Sequence, residues 1–315
     1  MGIEKTLRFF AGVYAGGRGV KIFGLLCSML MLVASGCGQP TETGQAYYNP
    51  TWGADGRIYA IKEVIKTYRQ GGLSPSTSQQ RESYLVVMNG DGSNEQEIKF
   101  VGVERYPKLN ASPLGNYLAM YRDGVEILDI HNGYAHIHTI EVDNTFFDWS
   151  PDEGKLVLQT SNGVELYTRD GVKVRDITNL RNANTWKYGD NILGSALVGD
   201  SSYRALASEN DELLITAGDQ VVGISYISGG EYYFGGGGSA GYRNVKTSDF
   251  STIETYPTLN TELSKESGVY NIQVNPVDDG EVMYSKDPVS TNVITPKQGI
   301  YLIRLDGTNR RVLRR

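Results

Sequence analysis

The sequence predicts an all-β chain assembled from repeated four-stranded antiparallel units. A hairpin phrase of aromatic residue, Ser/Pro/Asp/Gly turn and apolar strand recurs along it. A second phrase, an apolar strand running into an Asp-Gly turn, follows several of those hairpins. Long helical periodicity is absent between residue 46 and Arg315. Recurrence at a few tens of residues outranks any single local motif as a sign of architecture.

Residues 1–36 read as a secretion signal. Lys5, Arg8, Arg18 and Lys21 precede an uncharged apolar run at residues 22–33, too short for a stable bilayer span but suited to a signal h-region. An amphipathic first helix is the alternative, and the run has no polar face to support it. The following Val33-Ala34-Ser35-Gly36-Cys37 resembles the bacterial lipobox. That resemblance implies a mature chain that begins at a diacylated Cys37 and is held to a membrane by acyl chains, each buried CH₂ contributing about 0.8 kcal/mol. With Gly38 next, it also implies the outer membrane if the cell is Gram-negative. Cys27 leaves with the signal, so no disulfide and no cysteine-based metal cluster is expected. Removing those four cations and Glu4 takes Lys+Arg from 30 to 26 and Asp+Glu from 36 to 35, a net of −9. Such a balance argues against nucleic acid or anionic headgroups as partners.

Residues 37–46 are polar, with Pro40, Thr41 and Gly44, and are expected to form a tether. The globular part is expected over residues 47–315, where 40% hydrophobic content overall allows a large core. Its clearest hairpin is Phe147-Asp148-Trp149-Ser150-Pro151-Asp152-Glu153-Gly154-Lys155-Leu156-Val157-Leu158. Pro sets φ at the first corner, Asp bonds back to its own backbone and Gly accepts φ > 0. Further copies lie at residues 51–60, 110–119 and 273–284, with fainter ones at 198–206 and 225–234. Residues 58–64 predict a strand and 66–83 a polar insertion. The second phrase, Tyr84-Leu85-Val86-Val87-Met88-Asn89-Gly90-Asp91-Gly92-Ser93, returns at residues 125–133, 164–171 and 300–309.

Together the two phrases resemble the TolB-like β-propeller family, whose repeat joins a WSPDG-type hairpin to a strand of the IYVMNxDGS kind. Residues 84–93 and 147–158 match it best, and the likeness is clear at 47–178 and 270–313 and weak at 180–265. It implies a ring of blades. Units of about 40–45 residues give six or so four-stranded blades. Five or seven are allowed, because the fourth and fifth hairpins are only about 28 residues apart.

Candidate chemistry is sparse. Gly237, Ser239 and Gly241 satisfy G-x-S-x-G, and Gly236, Gly238 and Gly241 satisfy G-x-G-x-x-G. All three histidines precede Ser239, whereas hydrolases of that fold place the base after the nucleophile. The dinucleotide motif needs a helix, yet residues 242–247 read as strand. His136 and His138, two apart on a strand, are expected on one face, where Glu141 or Asp143 would complete a metal site. Two half-exposed strand residues is the plainer reading. The turns Asp91-Gly92-Ser93-Asn94-Glu95, Asp152-Glu153 and Asp278-Asp279 gather carboxylates that could bind calcium, but none has EF-hand spacing and turn chemistry alone explains them. Tyrosine is abundant, 21 against 8 Phe, and Tyr232, Tyr233 and Tyr242 flank the glycine run in a composition suited to recognition. Strand propensity explains it equally. Residues 310–315 read as a solvated edge strand.

The expectation is a membrane-anchored envelope lipoprotein whose propeller binds another envelope protein through its loop face, without catalysis, cofactor or metal. The rival is a carbohydrate-binding or carbohydrate-lyase propeller, which needs His, metal or Lys/Arg/Tyr groups converging on the channel.

Overall fold

In a computed structural model the described residues are 41–70, 76–103, 107–186, 191–198, 201–217, 224–227, 231–234, 243–246, 252–255, 257–265, 269–278, 280–286 and 299–314. The chain divides into two compact units, residues 1–44 with 65–81 and residues 45–64 with 82–315. Described residues of the first unit, 41–44, 65–70 and 76–81, are all strand. The second unit is a β-propeller.

Six four-stranded antiparallel sheets, each contiguous in sequence, make up the fold. The first holds β1 (Thr41–Trp52), β2 (Ile58–Gln70), β3 (Ser76–Met88) and β4 (Gln96–Val103). The second holds β5 (Lys108–Ala111), β6 (Tyr117–Tyr121), β7 (Val125–Asp129) and β8 (Ala135–Ile140). The third holds β9 (Asn144–Trp149), β10 (Lys155–Thr160), β11 (Gly163–Thr168) and β12 (Lys173–Asp176). The fourth runs β13 (Asn182–Thr185), β14 (Ile192–Val198), β15 (Ser201–Ala207), β16 (Leu213–Ala217). The fifth runs β17 (Ile224–Ile227), β18 (Glu231–Phe234), β19 (Arg243–Lys246), β20 (Thr252–Thr255). The sixth runs β21 (Val269–Val274), β22 (Glu281–Lys286), β23 (Gly299–Arg304), β24 (Arg311–Arg314).

Among the described residues one helix, α1 (Pro257–Ser264), precedes the sixth sheet and buries Leu259 and Leu263, four apart on one face. The expected tether overlaps β1, which starts at Thr41. The expected insertion is mostly strand, because β2 runs on to Gln70 and β3 starts at Ser76. Its Ser, Thr and Gln residues hid strands that need no apolar face where both sides are exposed.

First strands of successive sheets are neighbours around the axis: β5 meets β9, β9 meets β13, β13 meets β17 and β17 meets β21. A single sheet face buries too little to stand alone, so the core lies between sheets. Tyr48, Ile61, Leu85 and Leu118, Met120 fill the space between the first and second. Ile127, Phe147, Trp149 and Leu158 fill the next, and Leu166, Trp186, Ile192 and Ala205 the third. Trp52, Ile58 and Met88 pack on Met283, Ile300 and Leu302, joining the sixth sheet to the first.

The turn after each first strand repeats one pattern. Ser150 N donates to Lys155 O (2.9 Å) and Glu153 N to Ser150 O (2.9 Å). The same two bonds recur at Gly53/Arg57 and Ser112/Tyr117, and the first of them at Asn275/Glu281. The turn after the third strand also repeats, at Asn89/Ser93, Thr168/Val172, Ser208/Glu212 and Arg304/Thr308. The expected copy at 198–206 is instead the β14–β15 hairpin. The first hairpin of the fourth sheet follows Thr185 and begins at Trp186, so the three tryptophans of the chain hold equivalent places in three sheets.

Candidate functional site

Two residues before each of the turns at Gly53, Ser112, Ser150 and Asn275 stands a polar residue, and it bonds one sheet to its neighbour. An inner strand has one unpaired edge, whose N–H and C=O groups need partners away from water. Gln273 Oε1 accepts from Trp52 N (3.1 Å) and its Nε2 donates to Pro50 O (3.1 Å). Thr51 Oγ1 accepts from Ala111 N (3.3 Å). Asn110 Nδ2 donates to Phe147 O (3.1 Å) and Asp148 Oδ1 (2.8 Å). Asp148 Oδ2 accepts from Trp186 N (2.8 Å). Among the described residues the sixth, first, second and third sheets thus each satisfy the inner edge of the next. These polar side chains are structural bonds between sheets.

First-to-second and third-to-fourth strand turns leave from one face of the propeller, here called the turn face. Its short turns are tied to each other. In the first-hairpin turns the left-handed position is Gly56 (φ 76°) and Gly115 (φ 82°), but Glu153 (φ 58°) in the third sheet. Buried Glu153 reaches back to the second sheet, accepting from Leu114 N (2.7 Å) and Asn116 Nδ2 (2.7 Å). In the third-to-fourth turns Gly92, Gly171 and Gly307 hold the equivalent place, but Asp211 (φ 66°) does so in the fourth sheet. Asp211 bonds Thr178 Oγ1 (2.5 Å) and Asn179 N (2.9 Å) of the third. Burial pushes the Asp211 carboxyl up, but those hydrogen bonds outweigh it and hold it below the ordinary range.

Carboxylates on this face are used by their own turns. Asp91 Oδ1 accepts from Ser93 N (2.8 Å) and Oγ (2.6 Å), and Asp306 Oδ1 does the same with Thr308 (2.8 and 2.6 Å). Asp152 Oδ1 accepts from Ser150 Oγ (2.5 Å) and Gly154 N (3.0 Å). Side-chain hydrogen bonds hold all three below the usual carboxylate range, from Ser93, Thr308 and Ser150 respectively. Asp278 accepts from Gly280 N (3.0 Å) and pairs with Arg304 (3.3 Å). The acidic turns are therefore turn chemistry, and among the described residues no group of His, Cys, Asp or Glu is placed to hold a metal ion.

The expectation that His136 and His138 share a face is corrected. A bulge at Ile137 sets His136 opposite Leu128 and His138 opposite Ile127, adjacent residues that face different neighbours, so the rings lie on opposite sides. His136 bonds Thr139 (2.8 Å), His138 lies against Gly171, and His131 sits on a turn beside Asn116 (3.1 Å). The three do not converge. Residues 243–246 following the glycine run are strand rather than helix, which removes the context a dinucleotide motif needs.

Cys37, Tyr242 and the glycine run itself lie outside the described residues. Tyr232 and Tyr233 belong to the second strand of the fifth sheet, paired with Tyr226 and Val245 and with Ser225 and Asn244. The C-terminal arginines do more than stay solvated. Arg314 Nε pairs with Glu95 (3.0 Å) and Arg311 with buried Glu281 (2.7 Å). Sequence reasoning placed Glu95 and Glu153 in acidic turns but missed their ties to neighbouring sheets, which have no local pattern. It also missed the polar residue preceding each turn, whose signal was its recurrence as Thr51, Asn110, Asp148 and Gln273.

No protein-family model matches the chain, and no curated protein does. Among solved structures it is similar to the mitotic checkpoint complex (12% identity, TM-score 0.48, covering 87% of this chain and 85% of that one). It is also similar to PorZ, a surface component of the type-IX secretion system of Porphyromonas gingivalis (8% identity, TM-score 0.46, 87% and 39%). A third similar structure is a protein of unknown function from Bacteroides caccae (12% identity, TM-score 0.45, 71% and 87%).

Proposed function

We propose that this chain is a TolB-like propeller lipoprotein of the cell envelope, anchored through acylated Cys37 and acting as a non-catalytic protein-binding module. One observation carries the binding half. The longest connections, residues 235–242, 256–268 and 287–298, join second to third strands or one sheet to the next, so they leave from the face opposite the turn face. Long connections on a rigid scaffold are where recognition concentrates. The 235–242 connection holds the glycine run and Tyr242, with Tyr232 and Tyr233 in the preceding strand, a composition that supplies contact area at small entropy cost. Membrane fractionation with mass spectrometry tests the anchor: an acylated Cys37, and release of Cys37→Ala into the soluble fraction, are expected. Affinity purification from membranes tests the binding. Replacing residues 287–298 with a short Gly/Ser linker should remove the co-purifying protein. An unmodified N-terminus in the soluble fraction refutes the anchor, and unchanged co-purification refutes the loop face.

A further inference from the structure

We infer that the turn face carries a second docking surface, for a protein segment whose aliphatic side chains are flanked by lysine or arginine. Its centre is an apolar arc over the sixth, first and second sheets. Val277 and Leu114 hold equivalent turn positions after Pro276 and Pro113, and at 67% and 63% exposure they are, with Val172 (63%) on a turn of the third sheet, the most exposed large hydrophobic residues described. The arc is continuous. The Val277 side chain lies 3.2 Å from where a Cβ of Gly56 would sit, and Ala54 lies 3.2 Å from that of Gly115. Neither Val277 nor Leu114 is needed by the interblade core, whose apolar residues are buried. Aliphatic residues held outward on fixed turns mark a contact surface rather than chance exposure.

Charge selects the occupant. The cations on these turns are already engaged: Arg57 with Asp55 (2.5 Å), Arg304 with Asp278 (3.3 Å), Arg311 with Glu281 (2.7 Å), Lys155 with Glu209 (2.6 Å) and Arg169 with Asp170 (3.8 Å), while Arg310 lies over the Tyr301 ring (5.5 Å). Asp91, Asp129, Asp152, Asp211 and Asp306 instead accept hydrogen bonds from backbone N–H and hydroxyl groups. These five leave the face with an excess of negative charge around the apolar arc. Such a field attracts a cationic segment and repels an anionic membrane or a second copy of this acidic chain. The surface lies opposite the long connections, so its occupant is distinct from theirs.

Photo-crosslinking of the full chain in its membranes tests this, with p-benzoylphenylalanine placed at position 114 or 277 and the linked peptide sequenced by mass spectrometry. The expected product is a peptide with aliphatic residues among lysines or arginines. Its yield should fall several-fold in 0.5 M salt, on the order of the screening expected for exposed charges, and in the Asp91→Asn, Asp306→Asn double variant, with the far-ultraviolet spectrum unchanged. Linkage should persist when residues 287–298 are replaced, which separates this surface from the loop face. Linkage to lipid, to a second copy, or to an acidic or uncharged segment overturns the inference, as does no linkage or linkage lost with the 287–298 replacement.

Discussion

At the scale of single residues, Glu153 and Asp211 show a conformational cost met by a bond to the neighbour. Both stand in the left-handed region where other copies of the same turn use glycine, a placement that costs an L-residue about 1–2 kcal/mol. Each returns hydrogen bonds to the preceding sheet, and bonds to a charged acceptor contribute about 1.5–3 kcal/mol. The bonds win. Glu153→Ala keeps the strain and loses the bonds, so we predict a loss of about 2–4 kcal/mol in urea unfolding. Glu153→Gly loses the same bonds but relieves the strain, and is expected to be about 1 kcal/mol more stable than the alanine variant. Equal midpoints for the two would show that φ at this position carries no strain.

At the scale of elements, two glycines show how the obstacle decides the cost. A Cβ on Gly171 (φ 84°) would lie 2.0 Å from His138 Nε2, but that ring is the end of a side chain and can swing aside. A Cβ on Gly194 would lie 1.9 Å from Asn182 O, in the backbone of the neighbouring strand β13. We therefore expect Gly171→Ala to cost about 1–2 kcal/mol, mostly from φ, and Gly194→Ala about 3 kcal/mol or more, because β13 must leave β14. Chemical denaturation of both variants checks the order, and the reverse order would contradict the packing described. Elements with intact turn chemistry were legible in the sequence: β9–β10 with Trp149 and Pro151, and β23–β24 with Asp306-Gly307. The fourth sheet was not, because Asp211 stands where the phrase has glycine and Trp186 is followed by no proline. Strand residues within 66–83 were read as an insertion because polar strand such as the exposed residues 76–79 carries no alternating apolar signal. The bulge that parts His136 from His138 leaves no trace in composition. The candidate surface was legible only in part: its turns were predicted, but exposure of Leu114 and Val277 is a property of the assembled ring.

At the scale of the whole propeller, ring closure is the distinctive problem. Every sheet is built from consecutive strands, so no strand from one end of the chain completes a sheet begun at the other. Among the described residues the seam between the sixth and first sheets is held through side chains, packed on each other or bonded to backbone groups across it. Its apolar part buries Trp52, Met88, Met283 and Leu302. Its polar part converges on one carboxylate, Glu95, which accepts from Tyr47 OH (2.7 Å), Lys62 Nζ (3.0 Å) and Arg314 Nε (3.0 Å), while Arg314 also reaches Gly92 O. Burial alone pushes the Glu95 carboxyl up, but the bonds from Tyr47 and Lys62 outweigh it and leave the group below its ordinary range. For Lys62, burial lowers and the bond to Glu95 raises, with a net rise. A depressed carboxyl stabilises fully above its unfolded value of about 4.3, and that contribution is lost as pH falls through the folded value. A raised ammonium stabilises below about 10.4 and loses its contribution as pH rises through its own folded value. The seam is thus expected to weaken below about pH 4 and above about pH 10, with neutral pH the most favourable. Hydrogen exchange read by mass spectrometry should show residues 45–52 and 311–314 opening before β9 and β10, which are held by sheets on both sides with no chain end between them. Glu95→Gln should speed exchange at those two segments several-fold at pH 7 and flatten their acid dependence, leaving β9 and β10 unchanged. Uniform exchange around the ring, or a Glu95→Gln profile that still rises with acid as the wild type does, would mean that closure is carried by the apolar cluster and that Glu95 is a bystander to it.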